Sequence, residues 1–575
     1  MQKRKLKLFL PVLDWLPGYD GRDLRGDLAA GLTIGGMLIP QGMAYAKLAG
    51  MPPIHGLYAA LIPAVIYAVL GTSRQLSVGP VAIASLLVAA GLSDFATEGT
   101  QGFVQLAFVL AIMVGLIKLI FGFFRLGFLV NFLSNPVIAG FTSAACLVIV
   151  AGQLKGLFGL DIGRQDGFFA TVKAVVLNFS DLHWLTFTLG AGGIILILLL
   201  KKVNKLLPSQ LFAVIMGIGL VYFLNWEDKG VKIVGEIPEG LPFFVLPELD
   251  LSTIWSLLPT AFTITLVGFV QAIAVSKVMQ EQHKNYRIKP NQELAALGMA
   301  NIVGSFFQSF PVTGGFARTA ANDSAGARTP MAGVISSIVV GLTLLFLTEL
   351  FYFLPTAILA AIIIAAVLKL FNWRAAVLLW QTDRRDFIMM TATFFATLFI
   401  GIEEGILVGV ALSLAMMIYY STRPHIAELG RIPNTNHFRN SRRFKQVELR
   451  EDVLILRFDA QLYFANAEYF REQIEDYQKR RGDSLRLIIL NSYGISNIDS
   501  TAFSTLIEIK TELAAKDINL WFIGVIGPVR DLFKSSKVVE KFGETCFFIS
   551  IQDALEYYDT RQAKDDYRDY VLQAF

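Results

Sequence analysis

Charge is scarce in this chain: only 17% of its 575 residues are Asp, Glu, Lys or Arg, against 54% hydrophobic, and mean hydropathy is +0.55. Soluble proteins carry about a quarter charged residues, so a fully water-exposed fold is excluded and much of the chain belongs in lipid. Cysteine is nearly absent. Cys146 sits in an apolar run and Cys546 in a charged region, which leaves no disulfide framework and no cysteine-based metal or redox site. The N-terminal stretch MQKRKLKLFLPVLDWLPGYDGRDLRGD is basic but lacks an apolar core with a cleavage site behind it, so it is expected to remain on the mature protein. No GxxxxGK[ST] loop, nucleophile–base pair or paired carboxylates stand out, so neither an enzyme, a cofactor nor a metal is expected. The net charge of +4 and pI near 8.8 come from short loops rather than from one basic patch. That distribution argues against a nucleic-acid partner and for membrane topology.

Twelve segments are long enough, or nearly so, to cross hydrocarbon as helices: 27–46, 54–70, 102–122, 128–156, 183–200, 208–224, 255–282, 293–307, 330–353, 355–370, 386–401 and 403–421. Two more apolar stretches, 80–92 and 315–326, reach little more than half of a core about 30 Å thick and read as half-helices. Counting them gives fourteen crossings. With Lys3, Arg4, Lys5 and Lys7 inside, the loops holding Arg74, Arg125, Lys201/Lys202/Lys205, Lys284/Arg287/Lys289, Arg328 and Arg374/Arg384/Arg385 all fall on the same side. Asp94/Glu98 and the acidic loop 227–250 fall outside, so both termini are expected in the cytoplasm. Residues 166–180 read as an amphipathic surface helix. The expected divisions are an N-terminal segment 1–26, a transmembrane domain 27–422, a linker 423–444 and a soluble domain with tail 445–575.

Seven spans per half would place two similar halves in opposite orientation, as an inverted repeat. Each short element is third in its half. Each follows a strand-like run, Arg74–Val78 or Gln308–Val312, and opens on turn-forming residues, Gly79-Pro80 or Gly314-Gly315. Broken spans at matching places mark a binding site, because irregular backbone at membrane depth is tolerated only where it is buried or lines a cavity. Two helix N-termini facing each other, each with free N–H groups and roughly half a positive charge, form an anion site. Arg318 lies in the first turn of the second half-helix, where a cation is unfavourable unless something negative is present. Pairing with Asp323, or reaching an aqueous vestibule, is the alternative.

The runs IPQGMAYAKLAGMPPIHGLYAALIP (39–63), GTSRQLSVGPVAIASLL (71–87) and NQELAALGMANIVGSFFQSF (291–310) resemble the sulfate permease family, whose animal members are the sulfate and anion exchangers and prestin. The resemblance covers essentially the whole chain. It implies an α-helical polytopic membrane protein with fourteen spans as a seven-plus-seven inverted repeat. These would divide into a moving core and a gate of the UraA-like kind, with a cytoplasmic α/β STAS domain behind them. It also implies a homodimer in the plasma or inner membrane, an elevator-like transport movement, and an anion pocket drawn from Gln41 and Tyr45, Pro80 and Val81, and Gly315, Phe316, Ala317 and Arg318. Tyr and Gln would donate hydrogen bonds, while Val81 and Phe316 would exclude water.

The chain departs from the family pattern in ways that bear on coupling. Many prokaryotic and plant members carry an acid in a stretch like GFVESIAIAK; here it is GFVQAIAVSK, with Gln271 at that place, and the first-span position that is acidic in some relatives is Gln41. An amide neither titrates nor supplies an anionic ligand to sodium. Ala317 also replaces a serine found in several exchangers. Exchange or uncoupled movement of a small anion such as chloride, bicarbonate or sulfate is therefore favoured over proton or sodium symport. Glu293, Glu403 and Glu404 are other acids that symport could use, and an anion-dependent voltage or conformational sensor is the reading from a different class.

Residues 445–560 alternate strand and helix patterns, which argues for an α/β layer and resembles the STAS fold. The loop Ile498-Asp499-Ser500-Thr501-Ala502 matches the place where soluble relatives are phosphorylated on serine, although Asp499 or Ser500 also reads simply as a helix N-cap. Docking of a cytoplasmic partner, or dimerisation, is the expected role of this domain.

Overall fold

The computed structural model describes residues 10–560, apart from 129–133, 164, 166, 204–207, 249, 537–541 and 543–545. The basic residues Lys3 to Lys7, Lys205, part of the expected span 128–156 and the tail beyond 560 lie outside the described residues. The chain forms two compact units, Met1–Ser413 and Leu414–Phe575.

The first unit is helical. Among the described residues six helices are long and apolar enough to cross a membrane, α2 (Pro53–Leu70), α4 (Gln101–Phe123), α5 (Asn135–Phe158), α7 (Trp184–Val203), α9 (Leu251–His283) and α16 (Ile402–Thr422), the last running on into the second unit. The protein is thus polytopic. Around them stand α1 (Gly21–Leu48), α3 (Ala82–Leu92), α6 (Phe168–Leu177), α8 (Ser209–Leu224), α10 (Pro290–Phe306), α11 (Phe316–Ser324), α12 (Met331–Phe346), α13 (Thr356–Val367), α14 (Trp373–Thr382) and α15 (Arg384–Phe399). Helix α14 was not anticipated, because its polar and apolar residues mix as on a surface helix.

Two groups of helices pack closely within themselves: in one, α4 lies on α10 and α9, and α1 on α2 and α12; in the other, α5 lies on α15 and α13, and α7 on α8 and α13. α1 also packs on α13 and α8, which ties the two together. Small residues let helix backbones approach where lipid gives no hydrophobic drive. At the α1–α2 crossing, a Cβ added to Gly56 would fall 1.9 Å from the Gly42 carbonyl oxygen. Only glycine fits there.

Two very short strands join the halves of this unit. β1 (Val78–Gly79) pairs antiparallel with β2 (Thr313–Gly314), Val78 opposite Gly314 and Gly79 opposite Thr313. The expected strand-like runs end too early: pairing begins only at Val78 and Thr313, immediately before the half-helices α3 and α11. Two-residue strands carry no alternation from which to read register.

The second unit holds a six-stranded sheet in the order β4-β3-β5-β6-β7-β8, made of β3 (Ile426–Arg431), β4 (Phe438–Asn440), β5 (Val453–Phe458), β6 (Leu487–Asn491), β7 (Asn519–Ile523) and β8 (Phe547–Phe548). The last four run parallel, whereas β3 is antiparallel to β4 and β5. Helices α17 (Ala467–Arg481), α18 (Ser500–Ala514), α19 (Gly527–Ser535) and α20 (Ile551–Thr560) complete it. Both sheet faces are buried, Leu454, Leu456 and Phe458 on one and Ile455, Ile489 and Trp521 on the other. That is why β5, β6 and β7 read as continuous apolar runs. The stretch 423–444, expected as a linker, instead supplies β3 and β4.

Candidate functional site

Val81 and Gly315, both in extended backbone, are the N-cap positions of half-helices α3 and α11, and neither N-terminus is capped by a side chain. The first bonds after each start, Ser85 N to Val81 O and Thr319 N to Gly315 O, leave the preceding N–H groups of each first turn without helical acceptors. β1 and β2 hold the two starts side by side, and Gly315 N donates to Ser77 O at 3.0 Å.

Arg318 reaches back across this junction. It is 2% exposed, and Nη1 donates to the Pro80 carbonyl at 2.6 Å and to Gln41 Oε1 at 3.4 Å. Its Nε and Nη2 are buried without any acceptor. A Cβ at Gly315 would lie 2.9 Å from Nη2, so the glycine there leaves room for the guanidinium, whereas one at Gly79 would face it in ordinary contact at 3.5 Å. The alternative pairing of Arg318 with Asp323 does not occur: Asp323 Oδ1 instead meets His283 Nε2 at 2.5 Å. Two buried donors with nothing to bind cost several kcal/mol. A bound anion would remove that cost.

Gln41, Tyr45, Pro80, Val81 and Gly315 are buried around Arg318, whereas Phe316 and Ala317 are exposed, Phe316 by 47%. Pro40 lies inside α1 immediately before Gln41 and removes a backbone donor there. Gln271 lies one turn along α9 from Gly268, whose carbonyl accepts from Thr313 at 2.6 Å, and its Oε1 is buried with no partner. Gln271 shares no recorded hydrogen bond with the other expected residues, so the structure gathers the Gln41, Pro80 and Arg318 groups more closely than it does Gln271. Ser500 lies in the second unit as the first residue of α18, and Asp499 is the cap, accepting from Ala502 N at 2.8 Å.

Several supports were not read as such from sequence, where Glu293 stood only as an acid that symport could use. Asn301 bonds both backbone groups of Val312, donating to its oxygen at 3.0 Å and accepting from its nitrogen at 2.8 Å. Asn322 donates to Gln75 O, and Thr319 accepts from Ser77 N. Glu293 accepts from Tyr67 Oη at 2.7 Å, Thr72 N at 2.6 Å, Thr72 Oγ1 at 2.6 Å and Ser73 N at 3.2 Å, which anchors the turn leading to β1. The run 291–310 contains Glu293 and Asn301, but a polar residue in an apolar helix does not disclose its partner.

The sulfate permease family profile matches residues 24–393, and the STAS domain profile matches 444–554. The chain belongs to the sulfate permease family. It is 38% identical over 565 residues to Sulfate transporter 4.1, chloroplastic, of Arabidopsis thaliana, covering 95% of this chain and 82% of that one. Sulfate transporter 3.1 of the same plant is 36% identical over 96% of this chain and 87% of its own. The solved structure of the murine Solute Carrier 26 family member A9 anion transporter, in the inward-facing state, superposes with a TM-score of 0.89 at 27% identity, covering 97% of this chain and 95% of that one. This sulfate permease family member is therefore a multi-pass membrane carrier of small anions with a C-terminal STAS domain, a secondary transporter rather than an enzyme.

Proposed function

We propose that the anion binds where α3 and α11 meet β1 and β2, against Gln41, Tyr45, Pro80, Val81, Gln271, Gly315, Phe316, Ala317 and Arg318. The observation that carries this reading is the pair of buried, unpartnered Arg318 donors between two uncapped helix N-termini. Both dipoles and the guanidinium together offer on the order of +2, which suits monovalent and divalent anions alike. Sulfate, named for the plant relatives, is the first candidate; bicarbonate and chloride follow from the same chemistry.

In this reading the membrane unit is a seven-plus-seven inverted repeat spanning 27–422. The helices around α1 and α10 form a core that slides as an elevator against a gate built on α5 and α13. Both termini lie in the cytoplasm, the protein sits in the plasma or inner membrane, and the STAS domain supports a homodimer or docks a cytoplasmic partner, with Ser500 as its regulatory position. Gln41 and Gln271 favour exchange or uncoupled movement, because neither can carry a proton.

Sulfate binding to purified protein tests the site: Arg318→Ala should weaken binding of sulfate, bicarbonate and chloride alike, and unchanged affinities would refute the electrostatic account. Uptake into proteoliposomes with and without an imposed pH gradient tests the coupling. Exchange proceeds in both cases, and strict proton dependence would establish symport. Charge displacement without net flux would identify a sensor.

A further inference from the structure

Three carboxyl groups are wedged between elements of the membrane unit, and two of them are fully served by donors. Asp27, completely buried, accepts from Arg328 N at 2.7 Å, Thr329 N at 3.0 Å and Thr329 Oγ1 at 2.5 Å. Glu293, also completely buried, takes the four bonds described above. Every oxygen of these two carboxyls thus has a donor.

Glu403 has the opposite surroundings. Its Oε2 takes one hydrogen bond, from Thr260 Oγ1 at 3.2 Å, and its Oε1 is buried with no partner. A Cβ added to Gly91 would come 2.7 Å from that oxygen and 2.2 Å from Thr260 Cγ2, so the carboxyl is pressed against the far end of half-helix α3 and the flank of α9. The charged groups recorded near it are Glu404, next to it on α16, and Asp94, just beyond α3. Both are negative, and among the described residues Glu403 forms no salt bridge. A carboxylate here has one buried, unpartnered oxygen and two like charges for company; the protonated acid has no charge to desolvate or repel.

The position gives this proton a mechanical meaning. α3 and α9 belong to the group that carries the anion cradle; the first half of α16 packs against their core through Ile402, Ile406 and Val410 and against the other group through Gly405 on Thr397 of α15 and Gly409 on Val137 of α5. Glu403 therefore sits on the seam that any relative movement of the groups must open.

We propose that Glu403 is a proton-binding site that latches this seam. With the O–H bond formed, the neutral acid fits between Gly91 and Thr260 and the seam closes. When that bond breaks, the proton passes to water on the same face, and the carboxylate draws water to its second oxygen and parts α16 from α3 and α9. The proton enters and leaves from one side, so it regulates the movement without being carried across. This rests on the proposed sliding of one helix group against the other and on the external placement of the loop containing Asp94.

The test is uptake of radiolabelled sulfate by intact cells expressing the full chain, with cytosolic pH clamped and external pH varied between about 5 and about 8. Wild-type uptake should rise several-fold as external pH rises. Glu403→Gln, which keeps the shape and cannot ionise, should be slow and flat across the range. Thr260→Val, which loosens the closed seam, should raise the rate at the acidic end. A Glu403→Gln profile that follows wild type overturns the latch. Sulfate affinity of purified protein should be equal in wild type and Glu403→Gln; a weakened affinity would place Glu403 in the cradle and also overturn it. Failure of the cradle itself reads differently, as wild-type affinity untouched by Arg318→Ala while the Glu403 profile stays as expected.

Discussion

Replacing Glu293 with glutamine separates the two roles a buried acid can play in a transporter, structural anchor and proton carrier. The carboxylate takes four hydrogen bonds of 2.6–3.2 Å from Tyr67, Thr72 and Ser73. Bonds to a charged acceptor contribute about 1.5–3 kcal/mol each and bonds to a neutral one about 0.5–1.5 kcal/mol, so the amide loses roughly 4 kcal/mol in gross hydrogen bonding. Part of that is offset because the amide is less costly to desolvate than the ion, leaving a net loss of about 2 kcal/mol. Glu293→Ala leaves four donors facing a hole at about 1–3 kcal/mol each, at least ~4 kcal/mol in total. Thermal unfolding of detergent-purified protein should rank wild type above Glu293→Gln above Glu293→Ala. The dependence of sulfate uptake on external pH should survive in Glu293→Gln. A Glu293→Gln protein as stable as wild type but with no pH dependence would refute the anchor role and make Glu293 the titrating group.

Other perturbations have equally definite outcomes. Gly56→Ala puts a methyl 1.9 Å from the Gly42 carbonyl oxygen; overpacking of this kind costs about 1–3 kcal/mol, and because Gly42 adjoins Gln41, sulfate affinity should fall along with thermal stability. In the STAS domain, Asp499→Ala removes a helix cap and an acceptor for Phe464 N at 2.8 Å. A loss of about 1–2 kcal/mol is expected, read as faster hydrogen exchange in α18, whereas Ser500→Ala should leave exchange unchanged. Arg450 grips Asp452 at 3.0 and 2.8 Å and Asp559 at 2.8 and 2.9 Å, and its hydrogen bond holds the Asp452 carboxyl below the usual range despite burial. A lowered acid stabilises the fold above the ordinary carboxylate range, about 4, and that contribution is lost as pH falls through the lowered value. Hydrogen exchange at the β5–α20 contact should therefore accelerate only on strong acidification, and Arg450→Gln should remove that step.

The long apolar runs and the two short ones were legible because length against bilayer thickness is a property of sequence alone. The free starts of α3 and α11 followed from Gly79-Pro80 and Gly314-Gly315, and Arg318 declared itself as a charge in an apolar setting. Its grip on the Pro80 carbonyl was not legible, since it depends on pairing between residues far apart in the chain. Asn301 and Asn322 were invisible for the same reason. β3 and β4 escaped notice because half-exposed edge strands carry polar residues, as in Ile426–Arg431, and look like a linker. Glu403 and Glu293 were indistinguishable in sequence. Only the count of donors around each carboxyl separates them.

The pairing of Val78 with Gly314 has a consequence for how the protein is made. Its partners are separated by roughly 240 residues, a long-range closure that comes late in folding. A ribosome that has delivered only the first half leaves β1 without its partner, α3 with free N–H groups and no Arg318 beside them. The junction of α3, α11 and Arg318 is thus assembled in the membrane only when the second half arrives, so an interrupted chain lacks the proposed anion cradle altogether, and a capacity to hold an ion there would be a signature of completed synthesis.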